Sequence, residues 1–351
     1  MLEARSYTHQ QTCTCGQRIF FDNTVCLHCG SELAFDPEAG RLVTLDAGTR
    51  RHRCYNFESA AHCNWLAPAS QDELPDLCLS CSLNLTIPDI SQEENASLWR
   101  ECEHAKRRLI AQLLALNLPL RSLRQDPEQG LGFELLRWHP GDPPLRTGHL
   151  QGVITIDVAE ADPAWREQMR QRLQEPYRTM LGHFRHESGH YYWFRLVDET
   201  RWLAPFRELF GDETQDYTRS LQHHYHYGPP ADWQTNHISS YASAHPWEDW
   251  AETWAHYLHM IDSLAAANQM GLQIDTPGIP SVPFRLEDLQ ACSFMDPASA
   301  SNFISMVNHW VHLSSTLNVL ARSMGQMDIY PFVLTRGSLR KMYLVASVIG
   351  L

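Results

Sequence analysis

Two histidines four residues apart, with a glutamate directly after the first, carry the chemistry of this chain. His186, Glu187 and His190 spell H-E-x-x-H inside GHFRHESGHYYW, residues 182–193. On a helix, positions four apart lie one turn above each other, so both imidazoles project from one face. Two neutral imidazole nitrogens can hold a Zn2+ ion at about 2.0–2.1 Å, given a third ligand from elsewhere. Glu187, roughly 100° round the helix from His186, can act as the base on a metal-bound water. The pattern is short and recurs by chance, so it needs both a helix and a third ligand. A lone histidine on such a face is more often an ordinary core residue; this spacing, with an acid inside it, favours metal.

The helix is well supported. Residues 177–197 hold no proline, and Pro176 suits a first-turn position. At helical spacing His183, His186, Glu187, His190, Trp193, Phe194 and Val197 share one broad face. Gly189 costs about 1 kcal/mol relative to alanine in a helix interior, which implies close approach of something to the backbone there. A second helix begins in YASAHPWEDWAETWAH, residues 241–256, with Pro246 at its first position and Glu248 and Asp249 in its first turn. Trp247, Trp250, Ala251, Trp254, Leu258 and Ile261 form its apolar stripe, and Glu248, Glu252, Ala255 and His259 form a second stripe beside it. An acid complementing the helix dipole explains the position of Glu248. It does not explain a polar stripe on so aromatic a helix. A glutamate from a second helix, 58 residues after His190, would complete a His2Glu site.

Residues 12–81 contain eight of the ten cysteines. Cys13-x-Cys15-Gly and Cys26-x-x-Cys29-Gly make one group; Cys54, Cys63 and Cys78-x-x-Cys81 make the other. Close cysteine pairs form turns that point two thiolates inward, and two pairs close a tetrahedral cage around zinc. The glycines after Cys15 and Cys29 fit turns that need positive φ, and residues 18–21 read as a short strand. In the looser second group His28, His52 or His62 could replace a cysteine. Four protein ligands leave no open position, so both sites are expected to be structural, holding together a module with few apolar residues. Residues 1–90 carry six arginines and no lysine against eleven acids, and only Arg50, Arg51 and Arg53 cluster. That balance, like the net charge of −13, argues against a nucleic-acid partner and favours docking of a protein.

A chain of 351 residues, 43% hydrophobic and 20% charged, fits a soluble globular protein of two or three domains. MLEARSYTHQ lacks the apolar core of a signal peptide, and no window approaches 18 uninterrupted apolar residues. The expected setting is the cytoplasm, where unpaired cysteines favour metal over disulfides. Leu98, Cys102, Ala105, Leu109, Leu113 and Leu116 predict a helix over 93–116, and residues 117–147 read as Pro- and Gly-rich loop. Residues 148–158 read as one strand, 159–174 as a polar helix, and 297–324 and 339–349 as apolar helices. Resemblance to zincins, which commonly run an edge strand beside the catalytic helix, implies that this strand lies at a sheet edge, where an extended peptide can add. His223, His224 and His226 sit in a mixed stretch and fix no ligand geometry. The expected fold is α+β: a β-rich double zinc-ribbon module (1–90), a helical linker and loop region (91–147), and a mainly helical zincin-like catalytic domain with a small sheet (148–351).

H-E-x-x-H followed by E-x-x-A-E at 248–252 resembles the gluzincin metallopeptidases. The resemblance implies that Glu248 binds zinc, that Glu252 supports the site from behind, and that Tyr241, seven residues before Glu248, stabilises an oxyanion. The paired cysteines, GHFRHESGHYYW and YASAHPWEDWAETWAHYLH together resemble the bacterial family of zinc-binding metallopeptidases with an N-terminal zinc ribbon, over residues 12–345. It implies one catalytic and two structural zinc ions, hydrolysis of peptide bonds with Glu187 as general base, and a peptide or protein substrate. His183 and His245 either orient ligands from behind or serve the fold. Two rival readings are a non-catalytic zinc-binding interaction or scaffold protein, and a protease acting at nucleic acid with the ribbon as reader.

Overall fold

Cysteine turns dictate the start of the chain. In the computed structural model, which describes residues 7, 11–45, 52–68, 76–139, 141–142, 145, 147–173, 175, 177–272 and 283–350, short antiparallel ladders alternate with them. β1 (Gln11–Thr12) pairs with β2 (Arg18–Ile19), β3 (Leu33–Asp36) with β4 (Arg41–Thr44), and β5 (His52–Arg53) with β6 (Leu66–Ala67). Gly16 and Gly30 follow the cysteines at φ +88° and +72°, where a Cβ is resisted. Phe21, Phe35 and Trp65 are fully buried between the cysteine groups, with ring centroids 4.7, 5.0 and 6.4 Å apart. The module therefore has a small aromatic core of its own beside the cysteine groups. Strand β2 ends at Ile19 because residues 20–23 form a turn, in which Asn23 N donates to Phe20 O and Phe20 N to Asn23 Oδ1, both at 2.8 Å.

After α1 (Leu79–Ser82) and β7 (Asn84–Thr86), helix α2 (Glu93–Ala115) buries Leu98, Trp99, Cys102, Leu109 and Leu113. It is the crossover that lets β7 pair in parallel with β8 (Gly132–Leu136). The predicted single strand over 148–158 is instead a hairpin, β9 (Gly148–Leu150) and β10 (Val153–Asp157), in a sheet of order β7-β8-β10-β9. Its turn residues Gln151 and Gly152 both have positive φ, 48° and 81°, as a two-residue hairpin turn requires. A Cβ on Gly152 would sit 2.4 Å from the Gly130 carbonyl oxygen, so only glycine fits. β10 runs parallel to β8, from Val153 opposite Gly132 to Asp157 opposite Leu136, and Phe133, Leu135, Ile154 and Ile156 are fully buried. Along α2, Arg100 Nε donates to Ala60 O at 2.9 Å, Arg107 Nη1 to Ala61 O at 3.3 Å, and His104 and Arg108 meet Asp22. The cysteine module is thus fastened to α2. A 3-10 turn at Val158–Ala161 precedes α3 (Pro163–Leu173). Pro176, the expected helix end at Gln174, and the Arg50–Arg51 part of the basic cluster lie outside the described residues.

Six longer elements follow: α4 (Met180–Leu196), α5 (Leu203–Phe210), α6 (Tyr217–Tyr227), α7 (Pro246–Gln269), α8 (Pro297–Ser323) and α9 (Arg336–Ile349). The mixed stretch thus contains two helices, and His223, His224 and His226 lie on α6. Where α4 meets α7, a Cβ on Gly189 would come within 2.9 Å of Ala251 Cα. Trp250 Nε1 donates to Gly189 O at 2.9 Å and Trp254 Nε1 to Ser188 Oγ at 3.1 Å, so the glycine lets α7 lie against the α4 backbone. Lys341 of α9 is ion-paired with buried Asp249 of α7. By compactness the chain divides into two units between Phe184 and Arg185, inside α4. Among the described residues no helix is long and apolar enough to cross a membrane.

Candidate metal centre

Three groups of metal-ligating side chains converge among the described residues. Two are Cys13, Cys15, Cys26 and Cys29, and Cys54, Cys63, Cys78 and Cys81; within each, the sulfurs lie within 4.8 Å of one another. Sγ–Sγ separations of 3.8 Å (Cys13–Cys29), 3.7 Å (Cys15–Cys26) and 3.6 Å (Cys63–Cys78) suit a tetrahedron with zinc–sulfur bonds of about 2.3 Å. The second group consists of cysteines alone, without His28, His52 or His62. In the first cage Cys15 and Cys29 are exposed, whereas all four cysteines of the second are buried. Backbone amides at the start of α1 face this second cage: Cys54 Sγ accepts from Cys78 N and Cys78 Sγ from Cys81 N, both at 3.4 Å.

His186, His190 and Glu248 form the third group. Both histidines lie on one face of α4, and Glu248 stands in the first turn of α7. The side chains of His186 and His190 are 12% and 11% exposed, that of Glu248 1%. His186 Nε2 lies 3.0 Å from Glu248 Oε2, and His190 Nε2 lies 3.6 Å from Glu248 Oε1. On its other side His186 Nδ1 is 2.8 Å from Glu252 Oε1, one turn further along α7. Glu252 is held in turn by the Ser239 hydroxyl, which donates to Oε2 at 2.6 Å.

This arrangement fixes what the centre can hold. A carboxylate accepts only, so His186 Nδ1 carries the hydrogen facing Glu252, and Nε2 is left with its lone pair toward Glu248. Two acceptors 3.0 Å apart need a cation between them, a proton or a metal. With a proton there, burial pushes the His186 pKa down, but Glu248 and Glu252 reverse this and hold it well above its ordinary value. Burial likewise raises the pKa of Glu248, and the charges of His190 and His186 outweigh it, leaving it well below the carboxylate range. Two imidazoles and one carboxylate, with an acid behind one imidazole, are the donor set of a zinc site that keeps an open position.

Other anticipated residues fall as follows. Glu187 is buried, 5% exposed, directly after His186. Tyr241 begins a 3-10 turn (Tyr241–Ala244), its ring centroid 6.1 Å from that of His186, and burial raises its phenol pKa. His245 caps α7: its Nδ1 accepts from Trp247 N at 3.1 Å and its Nε2 donates to Gln215 O at 3.2 Å. His183 Nδ1 lies 2.8 Å from Glu160 Oε2, which also binds Arg178 at 3.0 Å. His259, on the polar stripe of α7, meets Arg185 Nη1 at 2.5 Å, and Asp262 takes Nη2 at 2.7 Å. Sequence reasoning missed Ser239 and Tyr217, whose hydroxyl donates to Glu248 Oε1 at 2.6 Å. Neither belongs to a motif.

Comparison with known proteins agrees with this geometry. Residues 10–92 match the model of a zinc-ribbon domain, and residues 95–348 match the family described as "Putative zinc-binding metallo-peptidase". Uncharacterized proteins of Mycobacterium bovis and Mycobacterium tuberculosis are 43% identical over 337 residues, 95% of this chain and 93% of theirs. No solved structure matches the chain. With a match over most of its length and three convergent ligand groups, the chain belongs to this zinc-binding metallo-peptidase family and carries an N-terminal zinc ribbon.

Proposed function

We propose that the protein is a zinc-dependent peptidase that hydrolyses peptide bonds, with His186, His190 and Glu248 binding the catalytic zinc and Glu187 as general base. One observation carries the reading: three donor side chains from α4 and α7 meet with their ligand atoms within 4.8 Å, while Glu252 takes the outer nitrogen of His186. Zinc bound there would lower the pKa of a coordinated water from 15.7 to about 7 and polarise a substrate carbonyl. Glu187 accepts the proton of the attacking water and returns it to the leaving amine. Tyr241, its phenol kept protonated by burial, donates to the oxygen on which charge develops. Glu252 holds His186 in the tautomer that leaves Nε2 free. The cysteine cages each close around a structural zinc, and the acidic module they stabilise docks protein substrates or partners. Reduced cysteines on this scale suit the cytoplasm.

The test is zinc content beside activity. Wild type should carry three zinc ions, and a folded His186→Ala/His190→Ala variant two. Two zinc ions in both proteins after metal-replete expression would end the peptidase reading.

A further inference from the structure

Helix α6 has no buried residue, yet its first side chain reaches the metal centre. Tyr217 follows Asp216, whose carboxylate caps the helix by accepting from Arg219 N at 3.0 Å. Its ring lies against His245 and Trp247, at centroid distances of 5.2 and 6.1 Å. His245 Nε2 holds Gln215 O, two residues before Tyr217. The entry to α6 is therefore tied to the first turn of α7 twice, once through the His245 ring and once through the phenol hydroxyl on Glu248. Packing alone would not need that hydroxyl.

Its target matters. Glu248 is the only carboxylate in the third ligand group among the described residues. A carboxylate that binds a metal through both oxygens occupies two positions, while one that binds through a single oxygen leaves room for water. The Tyr217 hydroxyl occupies Oε1 at 2.6 Å; Oε2 faces His186 Nε2 at 3.0 Å. A carboxylate oxygen only accepts, so the Tyr217 hydroxyl is the donor in this bond.

We propose that Tyr217 is a positioning residue: by holding Oε1 it commits Glu248 to the metal through Oε2 and keeps a coordination position open. This rests on the peptidase reading above. Glu248 fixed in one orientation binds the metal without first losing rotamer freedom, and groups that orient a ligand in this way typically contribute 10–100-fold in metal affinity.

The experiment measures zinc release to a competing chelator from wild type, Tyr217→Phe and Tyr225→Phe. Tyr225 is on the same helix and 64% exposed, so it controls for the loss of a hydroxyl on α6. Tyr217→Phe keeps the ring, and an unchanged near-ultraviolet circular dichroism spectrum and cooperative melt report that the unit carrying the His/Glu centre is folded. Expected is an affinity for the third zinc about tenfold or more below wild type in Tyr217→Phe alone. Retention within twofold of wild type would overturn the proposal, even if peptide turnover fell, since the hydroxyl would then act on substrate and not on Glu248. A wild type holding only two zinc ions would instead remove the peptidase reading, and this inference with it.

Discussion

The cysteine cages and the His/Glu centre solve the same problem in opposite ways. The first cage takes its four ligands from loops and turns spanning only residues 13–29, and the second takes Cys78 and Cys81 from the start of the short helix α1. Besides the metal, those turns are held by short ladders, three aromatic rings and the contacts to α2. The His/Glu centre takes its donors from two long helices, with His186 and Glu248 62 residues apart, and α4 and α7 are already fixed by Gly189, Trp250 and Trp254. A cage is closed and its metal belongs to the fold. The helical centre has three protein donors, so under the proposed function its metal keeps an open position for chemistry, and the fold should survive without it.

The sharpest way to break that contrast is to remove one ligand from each type of site. Cys78 is fully buried and caps α1 through its sulfur. Structural zinc contributes apparent free energies of about 10–16 kcal/mol, so Cys78→Ala should lose one zinc and unfold the module around it. His186→Ala/His190→Ala should lose one zinc and keep its helical circular dichroism and cooperative melt. If Cys78→Ala melts like wild type, the cage is not what holds the module.

Activity gives the next largest effect. Glu187→Gln removes the proposed base but no ligand, so turnover should fall by about 10²–10⁴-fold while all three zinc ions remain. Loss of the third zinc in this variant would make Glu187 part of the metal's support and leave the base unassigned.

The contrast also explains what could be read from the sequence. Cage ligands and H-E-x-x-H are local patterns: a turn or one helical period fixes their mutual direction, so spacing alone places Cys26 beside Cys29 and His186 above His190. Glu248 needed a second helix, but its stripe with Glu252 marked the side facing inward. The Tyr217 and Ser239 hydroxyls reach Glu248 and Glu252 across 31 and 13 residues, and no period links either hydroxyl to so distant a carboxylate. Helix α6 buries nothing, so it has no apolar stripe to be recognised by. For His183 the helical face was legible but the partner was not, because Glu160 comes from a different element. The hairpin at 148–158 escaped because alternation continues across Gln151 and Gly152, whose left-handed backbone is not visible in hydrophobicity.

Acid provides a smaller probe of the helical centre. His256, on α7, is buried with its Nδ1 2.9 Å from the Tyr330 hydroxyl, and burial pushes its pKa down to about 4. The folded protein therefore keeps His256 neutral where the unfolded chain, near 6.5, takes up a proton. Its contribution is fully present above pH 6.5 and is lost as pH falls toward 4, amounting to about 3 kcal/mol at most. His186, held above its ordinary value by two carboxylates, has the opposite sign in metal-free protein. The clean measurement is thus the difference between wild type and His256→Gln in zinc-loaded protein, by denaturant unfolding from pH 7.5 to 5. Wild type should lose more stability than the variant; parallel curves would mean that His256 does not titrate in this range.

The smallest effect tests the helix contact on which the contrast depends. Gly189→Ala in an isolated helix would stabilise by about 1 kcal/mol. Here the new Cβ would stand 2.9 Å from Ala251 Cα and 3.2 Å from Trp254 Cβ, atoms that move only if α7 moves. Overpacking of that kind costs about 1–3 kcal/mol. The cost should win, leaving the variant destabilised by roughly 1 kcal/mol with the cage zincs unaffected. Displacing α7 also shifts Glu248 relative to His186, so the third zinc should be released more readily than from wild type. A variant that melts higher and holds its third zinc as tightly would show that α4 and α7 tolerate a wider spacing, and that their close approach does not set the geometry of the centre.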